Sequence, residues 1–213
     1  MNKESILILI LGHPASGKSA GIRGLNPKTT YLIKVIDRKL PFKEGKEFNK
    51  ENKNLTVTQD YAKLSQLLVA LYKQEHIEDI VIDDSQYLMA EEMMRRSKEK
   101  GYDKFVDIAR NFHELVTLAK SIKGKNIWFL HHIDDTTDRI KMKTVGKMLD
   151  AQIGMEGYFD IILQAKVVDG NYILKTKKTD IDELVRAPIG MFEVDSIEND
   201  FKIVKEIIKK YDE

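Results

Sequence analysis

Residues 6 to 11, ILILIL, are apolar at every position. A strand with one wet face alternates apolar and polar residues, so an unbroken run predicts a strand covered on both faces, as in a parallel sheet. TYLIKVI at 30–36 is a second β-rich run, and LTVT at 55–58 a shorter third. From Tyr61 the period changes, with Leu64, Leu67, Leu68, Leu71 and Tyr72 recurring at helical spacing. DIVIDDSQ at 79–86 predicts a β-branched strand ending in acids. Phe105, Ile108, Ala109, Phe112, Leu115, Val116, Ala119 and Ile122 mark a long amphipathic helix that leads into the strand NIWFLHH, 126–132. Alternating strand and helix patterns predict an α/β fold with a mostly parallel sheet flanked by helices. The tail predicts a β-hairpin over YFDIILQAKVVDGNYILKTKK, turning at Asp169, Gly170 and Asn171. A last helix from Asn199 carries Phe201, Val204, Ile207, Ile208 and Tyr211 on one face.

Composition narrows the setting. At 213 residues and 42% hydrophobic content, one domain over the whole chain is expected, with no repeat or linker and only four prolines. The absence of cysteine excludes a disulfide scaffold, a thiolate metal site and a cysteine nucleophile, and fits a reducing compartment. No run approaches the roughly 20 apolar residues of a membrane helix, and the first apolar run meets a glycine loop rather than a cleavage site. A cytoplasmic protein without membrane contact is expected. The net charge of +1 gives no whole-chain argument for nucleic acid, so any such partner must be argued locally.

The chemistry begins where the first apolar run stops. GHPASGKS fits G-x-x-x-x-G-K-[ST], with Gly12, Gly17, Lys18 and Ser19 in the fixed places, and His13, Pro14, Ala15, Ser16 and Ala20 completing the loop. Glycines let backbone N–H groups close around phosphate oxygens. Lys18 would reach the β and γ phosphates and Ser19 would ligate Mg²⁺, so the expected ligand is ATP with Mg²⁺ in a strand–P-loop–helix unit. Hydrolysis needs an acid at a neighbouring strand end. Asp83 is placed to hold the magnesium through water, as a Walker B acid does. Asp84 is placed either to polarise the attacking water, as in AAA+ and RecA-type ATPases, or to cap a following helix. Of His131 and His132, His132 is the candidate polar sensor of the γ-phosphate, against the plainer reading of a partly exposed strand-end histidine. Asp37 and Arg38 follow the second strand where RecA-like proteins place a glutamate, which this chain lacks.

Two charged stretches remain. IDDTTDRIKMKTVGKML, 133–149, carries Arg139, Lys141, Lys143 and Lys147, and MAEEMMRRSKEKGYDKF, 89–105, carries Arg95, Arg96, Lys98, Lys100 and Lys104. The first is either a solvated charged loop or a loop that meets nucleic acid or a neighbouring subunit's nucleotide; in the second, acids interleave with the bases, which indicates a solvated helix against such a contact.

Together GHPASGKS, IVIDDSQYLM, FVDIARNFHELV, FLHHID, KTVGKMLD and GMFE resemble a family of phage-encoded P-loop ATPases with a RecA-like core, related to the Sak-type single-strand annealing proteins. The resemblance covers about residues 6–192. It implies ATP hydrolysis that controls homo-oligomeric assembly on, or annealing of, single-stranded DNA during recombination in the host cytoplasm. It further implies DNA-facing loops near 89–104 and 133–147, with Lys147 reaching a neighbour's γ-phosphate. The chain departs from that pattern in having no evident separate DNA-binding domain and only weakly basic loops. A small-molecule or nucleoside kinase and a nucleotide-dependent helicase loader or adaptor are the alternatives.

Overall fold

The computed structural model describes residues 5–135, 140–146, 148–149, 153–178 and 184–213. In chain order the elements are β1 (Ile6–Gly12), β2 (Thr30–Lys34), β3 (Leu55–Val57), α1 (Tyr61–Tyr72), β4 (Asp79–Asp83), α2 (Gln86–Arg95), α3 (Asp103–Ser121), β5 (Asn126–Asp134), β6 (Lys141–Met142), β7 (Ile161–Val168), β8 (Asn171–Lys175), β9 (Ser196–Glu198) and α4 (Phe201–Tyr211). Among the described residues these strands form one sheet in the order β3-β2-β4-β5-β1-β7-β8-β9, with β6 paired to the end of β5. The six strands from β3 to β7 run parallel, while β8 and β9 add antiparallel at one edge.

The unbroken apolar run of β1 has the predicted cause. Leu7, Leu9 and Leu11 enter a core built with α1, α2 and α3, whereas Ile8 and Ile10 enter a second core built with α4 and the segment around Ile22. Successive side chains of a strand point to opposite faces, so a strand in the middle of two cores has no polar position to spare. The predicted hairpin is present: β7 pairs with β8 from Gln164↔Lys175 to Val168↔Asn171. The two residues between them, Asp169 and Gly170, both have positive φ, 50° and 78°, the geometry of a tight two-residue hairpin turn.

Four features differ from expectation. The segment after the glycine loop, Lys18–Gly24, is a 3₁₀ helix rather than an α-helix. Gly21 lowers its helix propensity, and a Cβ there would lie 2.2 Å from Phe201 Cε1, so the glycine permits α4 to approach. The final helix begins at Phe201 rather than Asn199, because Asp200 is its N-cap and its carboxylate accepts from Lys202 N at 2.8 Å. The segment 89–104, a DNA-facing loop by the resemblance and a solvated helix by its charges, is helical in its first half, where α2 runs to Arg95. Beyond it Arg96 pairs with Glu92, Glu99 and Asp107, and the Lys104 amine donates to Glu99 O at 2.7 Å, so two of its cations serve internal contacts. Finally, the polar run from Ile133 contributes to the sheet: Ile133 pairs with Met142 and Asp134 with Lys141, so β6 lies antiparallel to the end of β5. No helix of the described residues is long and apolar enough to cross a membrane.

The second core is closed by an aromatic stack. Phe201 of α4 lies on Trp128 of β5 with ring centroids 4.7 Å apart and planes 6° from parallel. Asp79, fully buried below them, accepts from Trp128 Nε1 at 3.1 Å, Asn126 Nδ2 at 3.0 Å and Lys205 Nζ at 2.6 Å. A buried carboxylate is tolerable only when satisfied in this way. Phe201→Ala is expected to cost about 3–5 kcal/mol through the cavity it leaves, read as a lower urea midpoint at unchanged slope.

Candidate functional site

The polar groups gather where the parallel strands end, and strand alternation decides which reach the same side. Ile80 and Ile82 of β4 enter the core with α1–α3, while Val81 enters the core with α4. Asp83 shares the side of Val81, His132 shares that of Trp128 and Leu130, and Lys34 shares that of Leu32. Register aligns them, with Gly12 opposite His132 and Lys34 opposite Asp83. Asp84 follows in a left-handed conformation, φ 63°, which breaks the alternation.

This side opens into a cleft of about 530 Å³ whose wall includes Lys18, Ser19, Arg38, Asp83, Asp84 and His132. The Gly12–Ser19 loop forms its floor. Gly17 has φ 90°, and a Cβ there would stand 2.4 Å from the Tyr172 ring. Gly17 O accepts from Asn199 Nδ2 at 2.6 Å, so β8 and the entry to α4 clasp the loop from outside. Ser16 is buried in the loop and its hydroxyl has no partner among the described residues. His13 is exposed, with Nε2 3.6 Å from an Asp135 oxygen, while Pro14, Ala15 and Ala20 line the cleft.

Three buried charges, Lys18, Asp83 and Asp84, meet here beside the more exposed Arg38. The Lys18 amine donates to Gly12 O at 2.9 Å and His13 O at 2.7 Å. Burial pulls its pKa down to about 8 against the attraction of Asp84 and Asp83. Ser19 Oγ donates to Asp83 Oδ1 at 2.8 Å. Burial, then the adjacent Asp84, pushes Asp83 up to about 6, so its charge lacks a nearby counter-ion strong enough to offset desolvation. Asp84, 3% exposed, accepts through Oδ2 from Arg38. Its Oδ1 faces His132 Nε2 at 3.9 Å, beyond hydrogen-bond length. Burial and then Lys18 lower the His132 pKa to about 4, so the ring is neutral at pH 7. The first turn of α2 is closed by the Asp84 carbonyl, from Tyr87 N at 3.0 Å, while the carboxylate is engaged with Arg38.

His131, of opposite parity, leaves the cleft and packs against Phe112. Its Nε2 meets Lys143 O at 2.8 Å, and a carbonyl only accepts, so Nε2 carries the proton. Nδ1 then accepts from the Ser85 hydroxyl at 2.8 Å. Lys143 N in turn donates to His132 O at 2.9 Å. The histidine pair therefore ties the cleft to the β5–β6 strand pair.

The structure thus brings Lys18, Ser19, Asp83, Asp84 and His132 to one cleft, whereas Lys147 lies outside the described residues. Sequence reasoning missed the Arg38–Asp84 pair and the clasp of Tyr172 and Asn199. Asn199 meets Gly17 across 182 positions, a separation with no local signal. Counting alternate residues along β5 was the available signal separating His132 from His131. Among the described residues no three metal-ligating acids or histidines cluster. Ser19 Oγ and Asp83 are the paired oxygens suited to a hard cation that keeps waters and borrows phosphate oxygens.

His131 also sets a pH dependence. Its pKa is lowered from 6.5 to about 3, chiefly by burial, so between those values the unfolded chain binds the proton and the folded one does not. Stability is therefore expected to fall as pH drops below about 6.5. Thermal unfolding followed from pH 7 to pH 4 checks this, and His131→Gln should flatten the slope.

Compared with known proteins, the chain matches no protein-family model and no curated protein.

Proposed function

We propose that this chain binds ATP with Mg²⁺ in the cleft and hydrolyses it to ADP and phosphate. The observation that carries the reading is the convergence of Lys18, the Ser19–Asp83 pair and Asp84 around one glycine loop at the carboxyl ends of parallel strands. The connection leaving β1 passes over the α4 side of the sheet, whereas those leaving β4 pass over the α1–α3 side. Open α/β sheets bind ligands at such a switch in direction.

Lys18 exchanges two carbonyl acceptors for phosphate oxygens, a stronger charge-assisted contact. Ser19 and Asp83 would hold Mg²⁺, which supplies charge neutralisation across the β and γ phosphates. Asp84 Oδ1 accepts the proton of a water whose oxygen attacks the γ-phosphorus while the bond to the β-phosphate oxygen breaks. Neutral His132, stacked edge-on against Tyr87 at 5.8 Å, offers a donor beside that oxygen.

Nucleotide-controlled assembly on single-stranded DNA, of the phage recombination type, is the finer proposal. The hydrogen bond that Lys143 N donates to the carbonyl of His132 supports it, since it connects a cleft residue to a strand pair bearing Lys141 and Lys143. Lys147, reaching a neighbouring copy's γ-phosphate, belongs to the same reading.

Lys18→Ala is expected to lower ATP affinity at least about tenfold in a folded protein. Asp84→Asn should still bind Mg²⁺-ATP and turn it over at least about tenfold slower. Calorimetry and phosphate release check both, and wild-type turnover in Asp84→Asn would remove it from the chemistry. Single-stranded DNA is expected to stimulate phosphate release. Replacing Lys141 and Lys143 together by Ala should weaken DNA binding and flatten its salt dependence, read by anisotropy across a salt series.

A further inference from the structure

Arg38 has a role in this cleft that its place just after β2 does not announce. We propose that Arg38 is the residue that recognises the terminal phosphate, and that its ion pair with Asp84 is a resting position from which a third phosphate withdraws it. The inference rests on the nucleotide reading above and concerns how the same site tells a triphosphate from a diphosphate.

The geometry carries three parts of the argument. First, the partners are unequally held: Asp84 is 3% exposed and fixed at the strand end, whereas the Arg38 side chain is 56% exposed and lines the open cleft with Lys18 and Ser19. Of the two, the arginine is the one free to move. Second, the pair engages the Nη2 end of the guanidinium, a planar fork with five N–H donors suited to two phosphate oxygens at once. Third, Asp84 Oδ2 is occupied while Arg38 rests on it, so the carboxylate can orient water only through Oδ1, the oxygen that faces His132.

The neighbours support a hinge there. Lys34 Nζ holds Asp37 at 2.8 Å, which pins the residue before Arg38 to the end of β2. Arg38 N closes a tight turn onto Ile36 O at 3.0 Å. The guanidinium can therefore swing from a fixed pivot without displacing the strand. A ligand shifts such an equilibrium only by its differential affinity for the two positions. A diphosphate leaves the Asp84 pair undisturbed; a triphosphate competes for it. Arrival of the γ-phosphate then completes the phosphate cradle and releases Asp84 Oδ2 in one movement.

The test is equilibrium binding of ADP and of the β,γ-imido analogue of ATP, both with Mg²⁺, to wild type, Arg38→Gln, Arg38→Lys and Asp84→Asn. Gln keeps a donor for buried Asp84, and each variant is checked for an unchanged unfolding midpoint. Arg38→Gln is expected to lose on the order of tenfold to hundredfold in analogue affinity and less than about threefold in ADP affinity. Arg38→Lys should recover part of the loss. Asp84→Asn, which removes the resting partner, should raise the ratio of analogue to ADP affinity above wild type. Equal losses for both nucleotides in Arg38→Gln, or no loss for either, would overturn the proposal, as would an unchanged ratio in Asp84→Asn. Failure of wild type to bind either nucleotide would instead overturn the nucleotide reading itself, and this inference with it.

Discussion

A sheet buried on both faces leaves charged groups one place to gather, the ends of its strands. Leu7 to Leu11 alternate between two apolar cores, and the same alternation runs through β2, β4 and β5. Because the strands from β3 to β7 are parallel, all their carboxyl ends lie along one edge. Lys34, Asp83 and His132 then fall on one side by parity, and His131 on the other. The cleft is less an addition to the fold than the place where the burial pattern runs out.

Holding those groups is expensive. Lys18 and Asp83 are both pushed toward their neutral forms by burial, and Asp83 sits beside a second carboxylate. Each stays in place because a local bond restrains it: two loop carbonyls for Lys18, a serine hydroxyl for Asp83, a guanidinium for Asp84. Such a site is destabilised in itself and held by the packing around it, as functional sites commonly are. On the reading proposed above, a divalent cation at Ser19 and Asp83 would offset the crowded carboxylate charge, and phosphate oxygens would take up the Lys18 amine.

How much of this was legible depended on the distance over which residues act. The alternating strands and helices, the β7–β8 turn at Asp169–Gly170 and the glycine loop are local patterns, and they stand where periodicity put them. Contacts across the chain were not legible. Phe201 fills the space beside Gly21 of the Lys18–Gly24 segment, a contact with no local signal, and β9 is a three-residue edge strand with little apolar content. In segment 89–104 the interleaved charges indicated a solvated helix but not its partners; Arg96 is engaged with Glu92, Glu99 and Asp107. The role of Arg38 was hidden for the same reason, since its partner lies 46 positions away.

The position of β1 has a consequence for how the molecule is made. It is the first strand in chain order, yet both its partners come late: β5 begins at Asn126 and β7 at Ile161. At ordinary rates of translation, on the order of ten seconds pass between synthesis of β1 and that of its first neighbour. For that interval an isoleucine–leucine strand has both edges unpaired and both faces bare, the kind of segment that chaperones bind and that aggregates when they do not. The glycine loop it carries waits longer still, until Asn199 arrives to clasp Gly17. The loop that carries Lys18 and Ser19 thus takes its clasped form only after residues far downstream of it have been made.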